Sequence, residues 1–223
     1  MTGPRRVIRE RRVARMSPLF VARGAAVNLR GLVLVMPVVS VGNVGQLSVD
    51  LIISTLGLPR VGYIHSDGLV PVVGNDPYAT TSENSSEMCT SCEVYASADR
   101  KLAVLQIRSP IVQGKQRSFR QQILSWIKEN EFSRVVVLSS SFAHHRVDQQ
   151  LVGCAEGIPL AVLLIFCSEG DNIPDALKLL NFLNEWIQLI AKPNDQQPMS
   201  QPQWKIPSSW RLLFGSGIPP ALF

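Results

Sequence analysis

Apolar runs of strand length alternate with amphipathic stretches of helix length along this chain of 223 residues. The run Leu32–Val39 is continuous and rich in β-branched residues, which is typical of a buried strand. From Val44 to Leu56, apolar residues recur every three to five positions, which predicts a helix with one buried face. The pair Leu58-Pro59 would end that helix.

The same two patterns continue towards the C-terminus. Lys115–Asn130 predicts a second helix, and Ser168–Lys192 predicts a third, with Asn172 as its cap and Pro174 in its first turn. CEVYAS and LAVLQIR, separated by ADRK, predict a hairpin. Further strands are predicted for RVGYIH, LVPVV, RVVVLSS and PLAVLLIF. Alternating strands and helices predict a single layered α/β domain, with a mostly parallel or mixed sheet flanked by helices.

The charge is distributed unevenly along the chain. Residues 1–30 hold eight arginines and one acid, whereas the remaining residues have a net charge of −2. We therefore expect a disordered, arginine-rich extension over 1–30 and one α/β domain over 31–223. The near-neutral domain predicts no nucleic-acid partner, and the apolar runs are too short to span a membrane. The extension also resembles a mitochondrial transit peptide, and Met16 is an alternative start.

Two motifs contain residues capable of chemistry. Cys89 and Cys92 have C-x-x-C spacing, but no matching pair supplies further zinc ligands, and CEVYAS continues as a strand. We expect reduced thiols and no metal. The turn SVGNVG contains Gly42 and Gly45, but it lacks the third glycine of a dinucleotide site and the lysine of a phosphate loop. We therefore interpret Gly42 as a sharp turn and Gly45 as a close helix–sheet contact, with no cofactor.

The stretch SSSFAHHRVD places serines, histidines and an aspartate together. No glycine flanks Ser139, Ser140 or Ser141, and His144, His145 and Asp148 are sequence neighbours rather than groups brought together by a fold. A polar loop that follows a strand is the favoured interpretation. The alternative is an α/β hydrolase or nucleoside-processing enzyme that uses the Ser139–His145 loop.

Several long stretches resemble the proteasome assembly chaperone 2 family. They are MPVVSVGNVGQLSVDLIISTLGLPRVGY, LVPVVGNDPYATT, RVVVLSSS, SEGDNIPDA and WKIPSSWRLLFGSGIPPALF. The resemblance implies a nucleoside-phosphorylase-like shape without catalytic residues. It implies a heterodimer with proteasome assembly chaperone 1 that binds proteasome α subunits, promotes α-ring assembly of the 20S core and prevents α-ring dimerisation. It also implies a location in cytoplasm and nucleus.

Two regions differ from that family's pattern: residues 1–30 do not look like its short start, and the segment between the serine-rich strand and LAVLLIF is much shorter. A separate expectation concerns the docking motif at the end of proteasome activators and some assembly chaperones. The apolar C-terminus ends in Ala221, Leu222 and Phe223, at the positions of a proteasome-docking tail, but leucine replaces the tyrosine of that motif. We therefore expect weak docking by this tail. The second difference is a short bridge, Phe142–Pro159, between RVVVLSS and PLAVLLIF. If these are parallel neighbours, the bridge is long enough to connect them but shows little helical pattern, which would expose apolar surface of both strands.

Overall fold

A seven-stranded sheet organises the computed structural model, which describes residues 19–25, 27–80, 83, 85–142, 157–191 and 204–210. Its strands lie in the order β1-β3-β6-β7-β2-β8-β9. The strands are β1 (Phe20–Ala22), β2 (Val33–Pro37), β3 (Arg60–Ile64), β4 (Val73–Asn75), β5 (Met88–Thr90), β6 (Cys92–Ser97), β7 (Leu102–Ile107), β8 (Arg134–Phe142) and β9 (Leu160–Cys167). The helices are α1 (Val44–Leu56), α2 (Gln116–Glu129) and α3 (Ile173–Ile187). The mixed α/β architecture confirms the predicted fold class.

Direction divides the sheet into two halves. Strands β7, β2, β8 and β9 run parallel, with β2 between β7 and β8. Strands β1, β3, β6 and β7 pair antiparallel, and β6 and β7 form the predicted hairpin. β8 and β9 are parallel neighbours in an unbroken register from Val135–Leu160 to Phe142–Cys167, which is the arrangement that the sequence analysis considered for them. β4 and β5 form a separate two-stranded ribbon.

Helices cover both faces of the sheet because alternate strand residues are apolar on each face. α1 and α3 pack on one face, where Ile52 and Leu180 join Val35 and Leu138 in a core. α2 packs on the other face, where its buried residues are those predicted at Phe119, Ile123 and Ile127, together with Trp126. Leu124, also predicted on that side, is only half-buried.

Three local predictions were wrong. The LVPVV segment is not a strand: Leu69 makes one isolated bridge to Ile111, and a strand begins only at Val73. Pro71 in that segment lacks the N–H that a ladder needs. The third helix ends at Ile187 rather than continuing to Lys192, because Gln188 adopts a left-handed conformation. Asn172 occupies the N-cap position, but its side chain makes no cap hydrogen bond.

The predicted extension over residues 1–30 was wrong at its C-terminal end. Phe20–Ala22 form β1, which pairs antiparallel with Gly62–Ile64 at one edge of the sheet, and Leu29 is buried in the core under α2. Gly62 permits this pairing, since a Cβ there would lie 2.4 Å from the ring of Phe20. Residues 1–18 lie outside the described residues. Ordered structure therefore begins upstream of residue 31.

Candidate functional site

The glycine turn after β2 is filled by protein. Gly42 has a left-handed φ of 61°, and a Cβ there would lie 2.1 Å from Oδ1 of Asn172, so that side chain occupies the space beside the turn. A Cβ on Gly45 would lie 2.5 Å from the carbonyl oxygen of Leu138 in β8. Gly45 therefore lets α1 lie directly against the sheet, as the sequence predicted. Both glycines are required by packing.

Ser140, the central serine of SSSF, connects the end of β8 to this turn. Its hydroxyl lies 2.8 Å from the hydroxyl of Ser40 and 2.5 Å from the carbonyl oxygen of Val41. The residue is buried, with 6% of its surface exposed. A hydroxyl held by main-chain and side-chain partners in this way has a packing role. His144, His145 and Asp148, its predicted companions in the enzyme alternative, lie outside the described residues.

A buried network of charged side chains lies under α1, at the carboxyl end of β7. Asp50 of α1 accepts hydrogen bonds from the Tyr78 hydroxyl at 2.6 Å, from Nε2 of Gln106 at 2.7 Å and from Nη2 of Arg108 at 2.8 Å. The hydroxyl of Tyr78 also accepts a bond from Nη2 of Arg108 at 2.7 Å. These contacts fasten α1 and the loop containing Tyr78 to the end of β7.

Glu93 extends the network across β6 to β3. Its side chain is fully buried and accepts hydrogen bonds from Nη1 of Arg60 at 2.6 Å and from the Tyr95 hydroxyl at 2.9 Å. Nε of Arg108 lies 3.6 Å from the same carboxylate, which joins the two halves of the network. Arg60 also donates to Glu87 at 2.5 Å. One continuous set of ion pairs thus links β3, β6, β7 and α1.

Arg108, Tyr78 and Tyr95 have pKa values shifted away from the neutral range. Burial lowers the pKa of Arg108, but the Asp50 carboxylate and Tyr78 outweigh burial, so the pKa rises above its ordinary value. Burial, reinforced by Asp50, raises the pKa of Tyr78 well above 10, and burial with Glu93 raises the pKa of Tyr95. A general acid or base needs a pKa near the working pH. These three groups are therefore suited to holding elements together.

The two C-x-x-C thiols are free and lie on different strands. Cys92 is buried, and burial raises its pKa, with Glu93 adding to the effect. Burial likewise raises the pKa of Cys89. Thiols of raised pKa are poor metal ligands and poor nucleophiles at neutral pH. Among the described residues, no group of three or more His, Cys, Asp or Glu side chains could hold a metal ion.

An apolar groove of about 660 Å³ lies on the face covered by α2. Phe119 and Ile123 of α2 form one wall, and Met36, Val137 and Leu160 of three parallel strands form its floor. α2 connects β7 to β8, and β9 lies further along the sheet in the same direction. The bridge Phe142–Pro159, which was predicted to leave apolar surface of β8 and β9 exposed, lies mostly outside the described residues, so that expectation stays a prediction.

Within the described ranges, none of the helices combines the length and apolar content needed to cross a bilayer. The other candidate surface, the docking tail Ala221, Leu222 and Phe223, lies outside those ranges.

Sequence reasoning missed the charged network entirely. A signal was present, because Asp50, Glu93 and Gln106 each interrupt an otherwise apolar segment of helix or strand.

Comparison with protein families identifies the chain. The model of the PAC2 family matches residues 34–165, from β2 to β9, which includes the glycine turn and the core of the charged network. The chain belongs to the PAC2 family. Proteasome assembly chaperone 2 of Danio rerio is 44% identical over 264 positions, which cover 92% of this chain and 100% of the relative. The human protein of the same name is 43% identical over 264 positions, with the same coverage of both chains.

These alignments are longer than the chain itself. They extend over 264 positions, whereas the chain has 223 residues, so the relatives contain residues without a counterpart here. Among solved structures, the crystal structure of an archaeal homolog of proteasome-assembly chaperone from Pyrococcus furiosus has the same fold. Its TM-score is 0.58 at 13% identity, and the match covers 78% of this chain and 87% of that one. The two chains therefore share their fold at very low sequence identity.

Proposed function

We propose that this PAC2-family chain is a non-catalytic subunit of a proteasome assembly chaperone. It forms a heterodimer with proteasome assembly chaperone 1 and binds proteasome α subunits. In this role it promotes assembly of the α ring of the 20S core and prevents two α rings from dimerising. The observation that carries the proposal is the 44% identity to a proteasome assembly chaperone 2 along that relative's whole length.

The geometry supports a binding role over a catalytic one. The buried charged groups pair with one another, and the turn that could cradle a phosphate is filled by Asn172. Ser140 is engaged with Ser40 and Val41 rather than presented on an open turn. Within the part of the chain that the structure describes, in contrast, apolar side chains line an open groove beside α2. An open apolar surface is suited to contact with another protein.

Reconstitution tests the proposal. The chain would be co-expressed with proteasome assembly chaperone 1 and purified, and α subunits would then be added in the presence or absence of this complex. Native mass spectrometry would count single and paired α rings. We expect a stable heterodimer, faster appearance of single rings and fewer paired rings. Unchanged ring assembly and no recovery of the partner would refute the proposal.

A matched measurement addresses the enzyme alternative. The purified chain would be incubated with ester and nucleoside substrates beside Ser139→Ala, Ser140→Ala and Ser141→Ala variants. We expect no turnover that depends on any of these hydroxyls. Turnover abolished by one substitution in a variant that remains folded would establish catalysis instead.

We further propose that the chain acts in cytoplasm and nucleus, where proteasomes are assembled. Microscopy of a C-terminally tagged chain, with mass spectrometry of its mature N-terminus, tests this location. Cleavage within residues 1–30 together with mitochondrial signal would contradict it and favour the import alternative.

A further inference from the structure

The two edges of the main sheet are protected to very different degrees. At one edge, β1 has only three residues, and Arg23 directly after it forms an ion pair with Glu87. At the other edge, β9 has eight residues, LAVLLIFC, without a charge, a proline or a glycine. Natural sheets protect their edges with short strands and charged residues. The β9 edge, among the described residues, has neither.

The backbone of β9 has one side directed away from the sheet. The N–H of Val135 donates to the carbonyl of Pro159 at 2.8 Å, which sets the phase of the parallel ladder between β8 and β9. In that ladder alternate residues bond to β8, so the N–H and C=O groups of Leu160, Val162 and Leu164 point outward. No other described strand pairs with this side of β9.

Burial agrees with an open edge. All six residues of the central strand β7 are buried, whereas the first five residues of β9 are half-buried or exposed. Val162, in the middle of β9, is 37% exposed. Apolar side chains thus occur together with the outward backbone groups of Leu160, Val162 and Leu164, which pair with no described strand, and together they match the edge of another strand.

The flank of α3 adds apolar surface beside β9, on the sheet face opposite the Val162 side chain. Leu163 and Ile165 pack with α3, whereas Leu160 packs on the α2 face. Asn181 accepts a hydrogen bond from Trp204, which belongs to a segment bound to Thr55 of α1, so that flank of the helix faces α1. Phe182 and Trp186 lie on the opposite flank, towards β9, and are 49% and 45% exposed. The guanidinium of Arg134 lies 5.1 Å from the centre of the Trp186 ring and holds it in place. We call β9 and these two aromatic residues the β9 edge surface.

We propose that a β-strand of the heterodimer partner pairs with the outward side of β9, so that one sheet continues through both subunits. The inference rests on the proposed function, which supplies that partner. An eight-residue strand is about 26 Å long. Multiplied by the combined width of the strand edge and of one helix beside it, this length gives the β9 edge surface an area of roughly 500 Å². A standard interface uses about 800 Å² of each partner, so the β9 edge surface would supply more than half of it.

The chemistry of the surface specifies its occupant. The outward backbone groups require another strand, and the uncharged side chains on either side of β9 require apolar neighbours on that strand. A long uncharged edge invites aggregation whenever it is bare. A permanently bound subunit therefore fits it better than a transient ligand, and this selects the heterodimer partner.

A pair of lysine substitutions on the two edges tests the inference. Val162→Lys places a charge on the β9 edge surface, and Val21→Lys places the same charge on β1, where the valine is 42% exposed. Each variant would be titrated with purified partner by fluorescence anisotropy. We expect Val162→Lys to raise Kd at least tenfold and Val21→Lys to change it less than twofold.

Amide hydrogen exchange on the unsubstituted chain provides a second measurement that no folding defect can affect. We expect the amides of Val162 and Leu164 to exchange at least tenfold more slowly in the heterodimer. Unchanged exchange, with equal Kd for both lysine variants, would overturn the inference while leaving the heterodimer intact. If the unsubstituted chain forms a homodimer that Val162→Lys dissociates, the strand that pairs with β9 comes from a second copy of this chain, and the choice of the heterodimer partner is overturned. Failure of the unsubstituted chain to bind the partner would overturn the proposed function as well.

Discussion

Removing the carboxylate at the centre of the buried network is expected to destabilise the domain strongly. In the Asp50→Ala variant, Tyr78, Gln106 and Arg108 each lose the acceptor that they contact within 2.6–2.8 Å. The Arg108 guanidinium, only 17% exposed, retains just one carboxylate, Glu93, at 3.6 Å. Its charge then stays buried with weaker compensation.

The magnitude follows from the cost of an uncompensated buried charge. Removing one partner of a buried pair typically costs 3–5 kcal/mol, and the remaining contact with Glu93 favours the lower end, about 3 kcal/mol. For a domain of this size, each 1 kcal/mol corresponds to about 2–4 °C in Tm. We therefore expect Asp50→Ala to lower Tm by about 6–12 °C.

Differential scanning calorimetry of a short variant series would measure the effect. Asp67→Ala is the matched control, because Asp67 also pairs with a basic residue, Lys115, but both side chains are largely solvent-exposed. That variant should melt like the parent. The double variant Asp50→Leu with Arg108→Met would be measured beside its two single variants. It removes both charges and should be more stable than Asp50→Ala alone.

Two results would refute this reasoning. A Tm loss below about 2 °C for Asp50→Ala would show that the carboxylate is not required to compensate Arg108. A double variant whose loss equals the sum of its single losses would show that the two side chains are energetically independent.

Three further predictions follow from other features. Gly45→Ala should lower Tm, because the added Cβ would lie 2.5 Å from a main-chain oxygen of β8 that cannot move aside. Thermal melts would check this, and an unchanged Tm would contradict the close contact. The free energy of unfolding should fall as pH rises above about 10. The raised pKa values of Tyr78 and Tyr95 keep both side chains neutral in the folded state, whereas they ionise in the unfolded chain. Urea titrations at several pH values, with tyrosinate absorbance, would show this, and a flat alkaline profile would contradict it. Deleting residues 221–223 should leave α-ring binding largely intact in a pull-down, because leucine stands where the docking motif has tyrosine; a loss as large as that from removing the partner's tail would contradict this.

Local pattern was sufficient to predict most elements of the fold. Each correctly predicted element shows a local pattern of apolar residues that is typical of its type. These elements are the hairpin of β6 and β7, the helices α1 and α2, and the strands β8 and β9. The reasons for Gly42 and Gly45 were also accessible, since a partial glycine motif without a lysine indicates a turn and a close contact. The prediction of a strand at LVPVV was wrong because its apolar composition favours a strand, whereas its proline interrupts the hydrogen-bonded ladder.

The remaining features depend on contacts between distant parts of the chain. Phe20–Ala22 lie in an arginine-rich stretch, and only the pairing with β3 makes them a strand. The charged network combines Asp50 with Arg108, 58 positions away, and no periodicity within either segment indicates that these two meet. Strand order was equally inaccessible, because sequence predicts strands one at a time while register is set by the whole sheet.

The central position of β2 has a consequence for the time at which the domain can form during synthesis. β2 ends at Pro37, and its two neighbours, β7 and β8, begin only at Leu102 and Arg134. At a translation rate of about 5–20 residues per second, the apolar strand waits roughly 5–20 s for its second neighbour after it has been made. Folding therefore cannot proceed from the N-terminus as the chain emerges. Until β8 has been made, one side of this apolar strand lacks its neighbour, so the parallel half of the sheet cannot be completed earlier.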